Sequence, residues 1–291
     1  MSPAPFDALG HRPLIVAAVT PLTDDGAHLD TDAVAPYAAW LGSHGADGAF
    51  VCGTTGEGVL LSVEERQRAV ETWRAALDGI LVVHAGAQTT ADTVALASHA
   101  ASAGADAVAV IAPPYFPLDA QALTDHFVAA ARACAPLPFF CYAFAARSGY
   151  PLPVEVIRRI GGQVDNLAGL KVSESPWERA APYLDLGLPV LIGSEPLIPA
   201  GMAAGAIGAV SGMAAAFPDV VRAALDDPTP AAEIRLREVR AALEASGQFI
   251  AAAKWMLGRR GVSVRPGMRA PLRRLAPDEA ATLEASLASL A

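Results

Sequence analysis

Lysine is nearly absent from this 291-residue chain: of 21 lysines and arginines, only Lys171 and Lys254 are lysine. No apolar run approaches the roughly 20 consecutive residues that a membrane helix needs, because Gly, Pro, Asp and Arg interrupt each one. No membrane partner is therefore expected. Met1-Ser2-Pro3-Ala4-Pro5-Phe6-Asp7 offers neither a basic flank nor an apolar stretch, so no secretory signal is expected and the chain reads as soluble and cytoplasmic. Cysteine is scarce as well. Cys52, Cys134 and Cys141 are odd in number, lack metal-ligand spacing and sit in or beside apolar segments, which suits buried free thiols. No basic cluster offsets the net charge of −9, and this argues against nucleic acid, whose binding depends on neutralising phosphates with Lys and Arg. One local arginine is still enough to hold a small carboxylate. His11, His28, His44, His84, His99 and His126 are scattered, with no His-x-His or His-Glu-x-x-His spacing, so no metal is expected. No Gly-x-Gly-x-x-Gly follows a strand, which leaves a nucleotide or flavin cofactor unsupported.

What is present is an alternation of short β-like runs with helical patterns. The runs are Leu14 to Val19, Ala49 to Cys52, Ile80 to Ala85, Ala107 to Ile111, Pro138 to Tyr142, Leu167 to Lys171, Val190 to Gly193 and Ala206 to Val210. Segments with a period near 3.6, such as Val63 to Leu77 and Leu123 to Ala133, lie between them. Strands apolar on both faces and joined by helices form a parallel sheet covered on both sides. Eight such units with no Pro-, Gly- or Ser-rich linker fit an α/β fold of the (β/α)8 TIM-barrel type better than an open doubly wound sheet. Beyond the eighth run the pattern is wholly helical: Pro218 to Leu225, Ala231 to Leu257 and Pro277 to Leu290. The expected division is a barrel core over 1–217 and, over 218–291, the last barrel helix with a C-terminal helical appendage.

In such a barrel the active site lies at the C-terminal ends of the strands, so the informative residues follow each apolar run. Lys171 ends the sixth. An ammonium moved into apolar surroundings loses its proton and becomes a nucleophile near neutral pH, which a guanidinium cannot do. On position alone, a strand-end lysine that snorkels to water is the commoner outcome. After the second run, Gly53-Thr54-Thr55-Gly56-Glu57 sets two hydroxyls and several backbone N–H groups between glycines, which suits a small carboxylate and equally suits an ordinary strand-to-helix turn. Pro113-Pro114-Tyr115 follows the fourth run; Tyr142 ends the fifth, with Arg147 beyond it. Singly, the tyrosines read as core aromatics with hydroxyls at the rim and Arg147 as a solvated charge.

Together these residues compose a mechanism. Neutral Lys171 attacks the ketone of an α-keto acid, water leaves, and the protonated imine withdraws electrons so that the neighbouring carbon can lose a proton or break a C–C bond. Tyr142 would shuttle the proton. A phenol titrates near pH 10, so it needs a hydroxyl relay, which Thr54 and Tyr115 can supply. Thr55 and its N–H would hold the keto-acid carboxylate, and Arg147 a carboxylate or polar group of the second substrate. No cofactor is needed, because the imine is itself the electron sink.

From Val19-Thr20-Pro21, Gly53-Thr54-Thr55-Gly56-Glu57, Leu60-Leu61-Ser62, Glu64-Glu65-Arg66, Pro113 with Tyr115, Tyr142, Gly169-Leu170-Lys171 and Gly208-Ala209-Val210-Ser211, the chain resembles the dihydrodipicolinate synthase and N-acetylneuraminate lyase family of class I, lysine-dependent aldolases. The likeness runs nearly end to end. It implies that Lys171 forms the Schiff base, that Tyr142 transfers protons, and that Thr54 and Tyr115 complete the relay, Tyr115 entering the site of a partner subunit. It further implies that Thr55 binds the pyruvate carboxylate with Gly53 in the same loop, that Val210 lines the pyruvate pocket, that Lys254 is structural, and that the protein is a homo-oligomer, dimer or tetramer.

The implied partners are a small keto acid and an aldehyde. Arg147 favours the synthase branch, in which pyruvate condenses with aspartate semialdehyde. Ala143 and Ala145 stand where that branch usually has Asn and Pro, Pro114 where it often has a tyrosine, Gly193-Ser194-Glu195 where it has Gly-Asp-Asp, and Ala215 where asparagine is frequent. These departures keep open an aldolase or dehydratase of 2-keto-3-deoxy sugar acids or N-acetylneuraminate. A non-catalytic keto-acid sensor is the alternative of another class, favoured if Tyr142 or Thr54 lies far from Lys171. Ser173, Glu174 and Glu195 follow strand ends, where acids either meet a polyhydroxylated substrate or stand in water.

Overall fold

A computed structural model of the chain describes residues 5–6 and 9–288. Eight strands close in sequence order into a barrel: β1 (Leu14–Ala17), β2 (Gly48–Val51), β3 (Ile80–His84), β4 (Ala107–Ile111), β5 (Phe139–Ala143), β6 (Leu167–Val172), β7 (Val190–Ile192) and β8 (Gly208–Ser211). This is the (β/α)8 barrel that the alternation predicts. The helices between strands are α1 (Val34–Ser43), α2 (Val63–Ala76), α3 (Thr90–Ser102), α4 (Ala120–Cys134), α5 (Ala145–Ser148), α6 (Val154–Gly161), α7 (Trp177–Leu184) and α8 (Ile198–Ala203). After β8 come α9 (Pro218–Asp226), α10 (Pro230–Glu244), α11 (Phe249–Arg259) and α12 (Pro277–Ala288), the helical C-terminal segment. No helix among the described residues is long and apolar enough to cross a membrane.

The chain packs as two compact units. One comprises Ile80–Val210 with the described residues before Leu14, and carries β3 to β7 and most of β8. The other comprises Leu14–Gly79 with the chain from Ser211 onward, and carries β1, β2, α1, α2 and α9 to α12.

Helix starts follow local chemistry. Ser62 and Glu65 form a reciprocal capping box on α2, while Thr89, Asp119 and Thr229 cap α3, α4 and α10 by accepting from the backbone N–H three residues on. Strand interiors are buried on both faces, as the unbroken apolar runs require. In the first unit Phe140 and Tyr142 of β5 pair with Gly169 and Lys171 of β6, and Lys171 pairs with Leu191 of β7. Gly169 is set by packing: a Cβ there would stand 2.6 Å from both the Phe140 ring and the Pro189 carbonyl oxygen.

Two features differ from the sequence expectation, and one expected helix end cannot be compared. The apolar period from Ala231 to Leu257 is two helices, because Gly247 takes a left-handed φ of 69° and the Gln248 N–H turns to the Ser246 hydroxyl. The last helix runs from Pro277 to Ala288, and its expected end at Leu290 lies outside the described residues. A short helix, α5, follows β5 where no periodic signal exists.

Candidate active site

Lys171 is 4% exposed, with its Nζ 4.0 Å from the centroid of the Tyr142 ring. The register explains the encounter, since partnered residues on neighbouring parallel strands project to the same side. Burial pushes the Lys171 ammonium down to about 7, against the opposing pull of the Glu195 carboxylate. The amine is thus a proton acceptor poised near neutrality. Tyr142 is buried as well, its ring edge-on to His84 at 6.0 Å and tilted against Phe144.

Two acids prove to be inside rather than in water. Glu195 opens the 3-10 turn that follows β7 and is completely buried. Glu174, just past β6, is buried and accepts the Ala145 N–H at 2.7 Å, so it anchors the start of α5. That helix carries Arg147, which is exposed and lies 5.8 Å over the Phe144 ring. Ser173 is buried at the same strand end and donates its N–H to the Ala143 carbonyl. Their signal in the sequence was polar residues directly abutting β-runs, and nothing local distinguished a buried acid from a solvated one.

Tyr115 stands apart from the buried pair. The residue is 81% exposed, its ring meets Phe116 edge-on at 4.8 Å, and it has a left-handed backbone with φ of 86°, a strained state for an aromatic residue. The loop behind it is tied down by Tyr150, whose hydroxyl donates to the Pro113 carbonyl at 2.7 Å. Val210 is buried on β8.

The Gly53-Thr54-Thr55-Gly56-Glu57 loop belongs to the second unit. Cys52 and Glu57, at its two ends, have left-handed φ of 58° and 56°. Thr20 donates its hydroxyl to the Gly56 carbonyl at 2.6 Å, and the Glu57 and Gly58 N–H groups donate back to Thr54 and Gly53. Gly53 leaves no room for a side chain, because a Cβ would come 2.5 Å from the Phe50 ring. Thr55 is buried beside Gly212, where a Cβ would approach its hydroxyl to 2.9 Å. The fully buried Lys254 Nζ pairs with the Glu57 carboxylate at 2.5 Å and donates to the Gly267 carbonyl at 2.7 Å. The three cysteines are free and buried, and desolvation raises the pKa of each.

A closed (β/α)8 barrel with a dry, near-neutral amine set against a phenol at adjacent strand ends has the architecture of a lyase of the class I aldolase type. The Dihydrodipicolinate synthetase family model matches residues 11–290, and the chain belongs to that family. An uncharacterized DapA-like lyase of Halobacterium salinarum is 37% identical over 99% of this chain and 97% of its own. The 4-hydroxy-tetrahydrodipicolinate synthase of Chlorobium phaeovibrioides is 34% identical over 77% of this chain and 76% of its own. Among solved structures, the Proteus mirabilis N-acetylneuraminate lyase superposes with a TM-score of 0.85 at 28% identity, covering 96% of this chain and 98% of that one.

Proposed function

We propose that the protein forms an imine between Lys171 and pyruvate or a pyruvate-derived keto acid and exchanges a C–C bond with an aldehyde, with pyruvate and aspartate semialdehyde as its substrates. The observation that carries this reading is the Lys171 amine, buried against Tyr142 and pushed down to about 7. In the proposed reaction the free amine adds to the C2 carbonyl, the carbinolamine loses water, and the resulting iminium gives up a C3 proton to become an enamine. The enamine carbon bonds to the aldehyde carbon, the aldehyde oxygen takes a proton, and water then hydrolyses the imine to return the amine. Tyr142 carries protons in these steps, with Thr54 and a partner subunit's Tyr115 as relay; Thr55 holds the keto-acid carboxylate, with Gly53 allowing close approach and Val210 lining the pocket.

Arg147, exposed on α5, suits the carboxylate of an incoming semialdehyde. The burial of Glu195 and Glu174 supports a second reading, a 2-keto-3-deoxy sugar acid or N-acetylneuraminate as substrate, since buried acids are acceptors for hydroxyl groups. The contact of Tyr142 with Lys171 supports turnover over a silent keto-acid sensor. Incubating the protein with pyruvate and, in turn, aspartate semialdehyde, glyceraldehyde and N-acetylmannosamine, with product detection by mass spectrometry, separates the readings. Faster condensation with the semialdehyde is expected. Faster turnover of either sugar aldehyde would move the assignment to the second reading, and no product with any aldehyde would favour the sensor.

A further inference from the structure

We infer that the buried Lys254–Glu57 ion pair is a positioning device for the Thr54–Thr55 loop, through which the C-terminal segment sets affinity for the keto-acid carboxylate; this rests on the loop role proposed above. Two remote stretches of chain converge on Glu57. Its carboxylate takes the Lys254 ammonium from α11 on Oε1 and the Arg269 N–H on Oε2 at 2.7 Å. The Arg269 guanidinium continues to Glu65 in the first turn of α2 at 2.6 Å and to the Ala27 carbonyl at 2.9 Å. The strand of chain that supplies Gly267 and Arg269 is locked in place, because a Cβ on Gly267 would collide with the Thr23 carbonyl and one on Gly26 with the Met268 carbonyl.

Fold stability alone gives a poor account of this arrangement. A buried ion pair gives up the hydration of both charges, and apolar residues of similar volume commonly stabilise a core as well or better. What the pair supplies is geometry. Glu57 is a non-glycine residue in the left-handed region, and Cys52, at the opposite end of the loop, is another. Such strain persists where surrounding contacts over-determine it. Lys254 and Arg269 grip Glu57 from two directions, and Gly58 beyond it admits no Cβ because of the Cys52 carbonyl. The loop's hydroxyls and N–H groups are thereby held in one arrangement before ligand arrives, so less ordering remains to be done on binding.

The test titrates pyruvate against the yield of borohydride-trapped imine on Lys171, in the wild type, Glu57→Gln, Lys254→Arg and the Glu57→Gln/Lys254→Met double variant. Each folded variant is expected to need about tenfold more pyruvate for half-maximal trapping while its yield at saturation changes little, the signature of lost ground-state binding. A purely structural pair would lower the melting temperature and leave the half-saturation point unmoved, and that result would overturn the inference. If no variant folds, hydrogen exchange on the wild type decides. Amides of Gly53 to Gly58 and of Gly267 to Arg269 are expected to open together, and independent opening would overturn the inference. A wild type that yields no Lys171 adduct is a failure of the catalytic reading itself and is thereby distinguishable.

Discussion

At the scale of single residues, the chemistry depends on two opposed effects on one ammonium. Burial disfavours the charged form of Lys171, and the Glu195 carboxylate favours it, with the first effect the larger. The folded-state pKa therefore lies below the ordinary lysine value of 10.5, at about 7. The folded state binds fewer protons than the unfolded chain between those two limits. The cost to stability is full below about pH 7 and is relieved as pH rises toward the ordinary value. The reactive free amine grows over the same rise through pH 7. Replacing Glu195 by Gln removes the anion that holds the proton on. In Glu195→Gln, the pH at which imine trapping is half-maximal should fall below the wild-type value, as followed by initial trapping rates with cyanoborohydride. An unchanged or raised midpoint would show that Glu195 does not act on the amine.

Elements were legible to the extent that their signal was local. Barrel strands are buried on both faces, so they appear as unbroken apolar runs whose ends are visible, and Tyr142 and Lys171 could be placed at neighbouring strand tips before any contact was known. The interruption between α10 and α11 was hidden because the apolar period continues across it and a single left-handed glycine makes the break. The α5 turn was hidden because Glu174, from the following strand's end, supplies its anchoring hydrogen bond. Gly169 lies in a run that periodicity alone reads as a plain strand, yet its neighbours on β5 and before β7 leave no space for a methyl group. Gly169→Ala should destabilise the protein by about 1–3 kcal/mol, the usual penalty for an overpacked core. The urea midpoint would fall with little change in slope; an unmoved midpoint would mean that the barrel relaxes around the methyl at no cost.

For the whole molecule, long-range pairing was the least legible feature. Glu57 and Lys254 are 197 positions apart, and neither carries a local mark of its partner; the scarcity of lysine and the family resemblance single out Lys254 without pointing to Glu57. That scarcity leaves two lysine side chains to compare. Lys171 is buried with its Nζ over the Tyr142 ring and is pushed down to about 7, while the buried Lys254 donates to the Glu57 carboxylate at 2.5 Å and to the Gly267 carbonyl at 2.7 Å. A lysine held as the ammonium of a buried ion pair has no lone pair to offer a ketone. Incubation of the protein with pyruvate and cyanoborohydride across a pH series, followed by peptide mass spectrometry, tests this contrast directly. Among the lysines, a single reduced pyruvyl adduct is expected on Lys171, its initial rate rising through about pH 7. An adduct on Lys254, on neither lysine, or one that appears only near the ordinary lysine value of 10.5 would contradict that expectation.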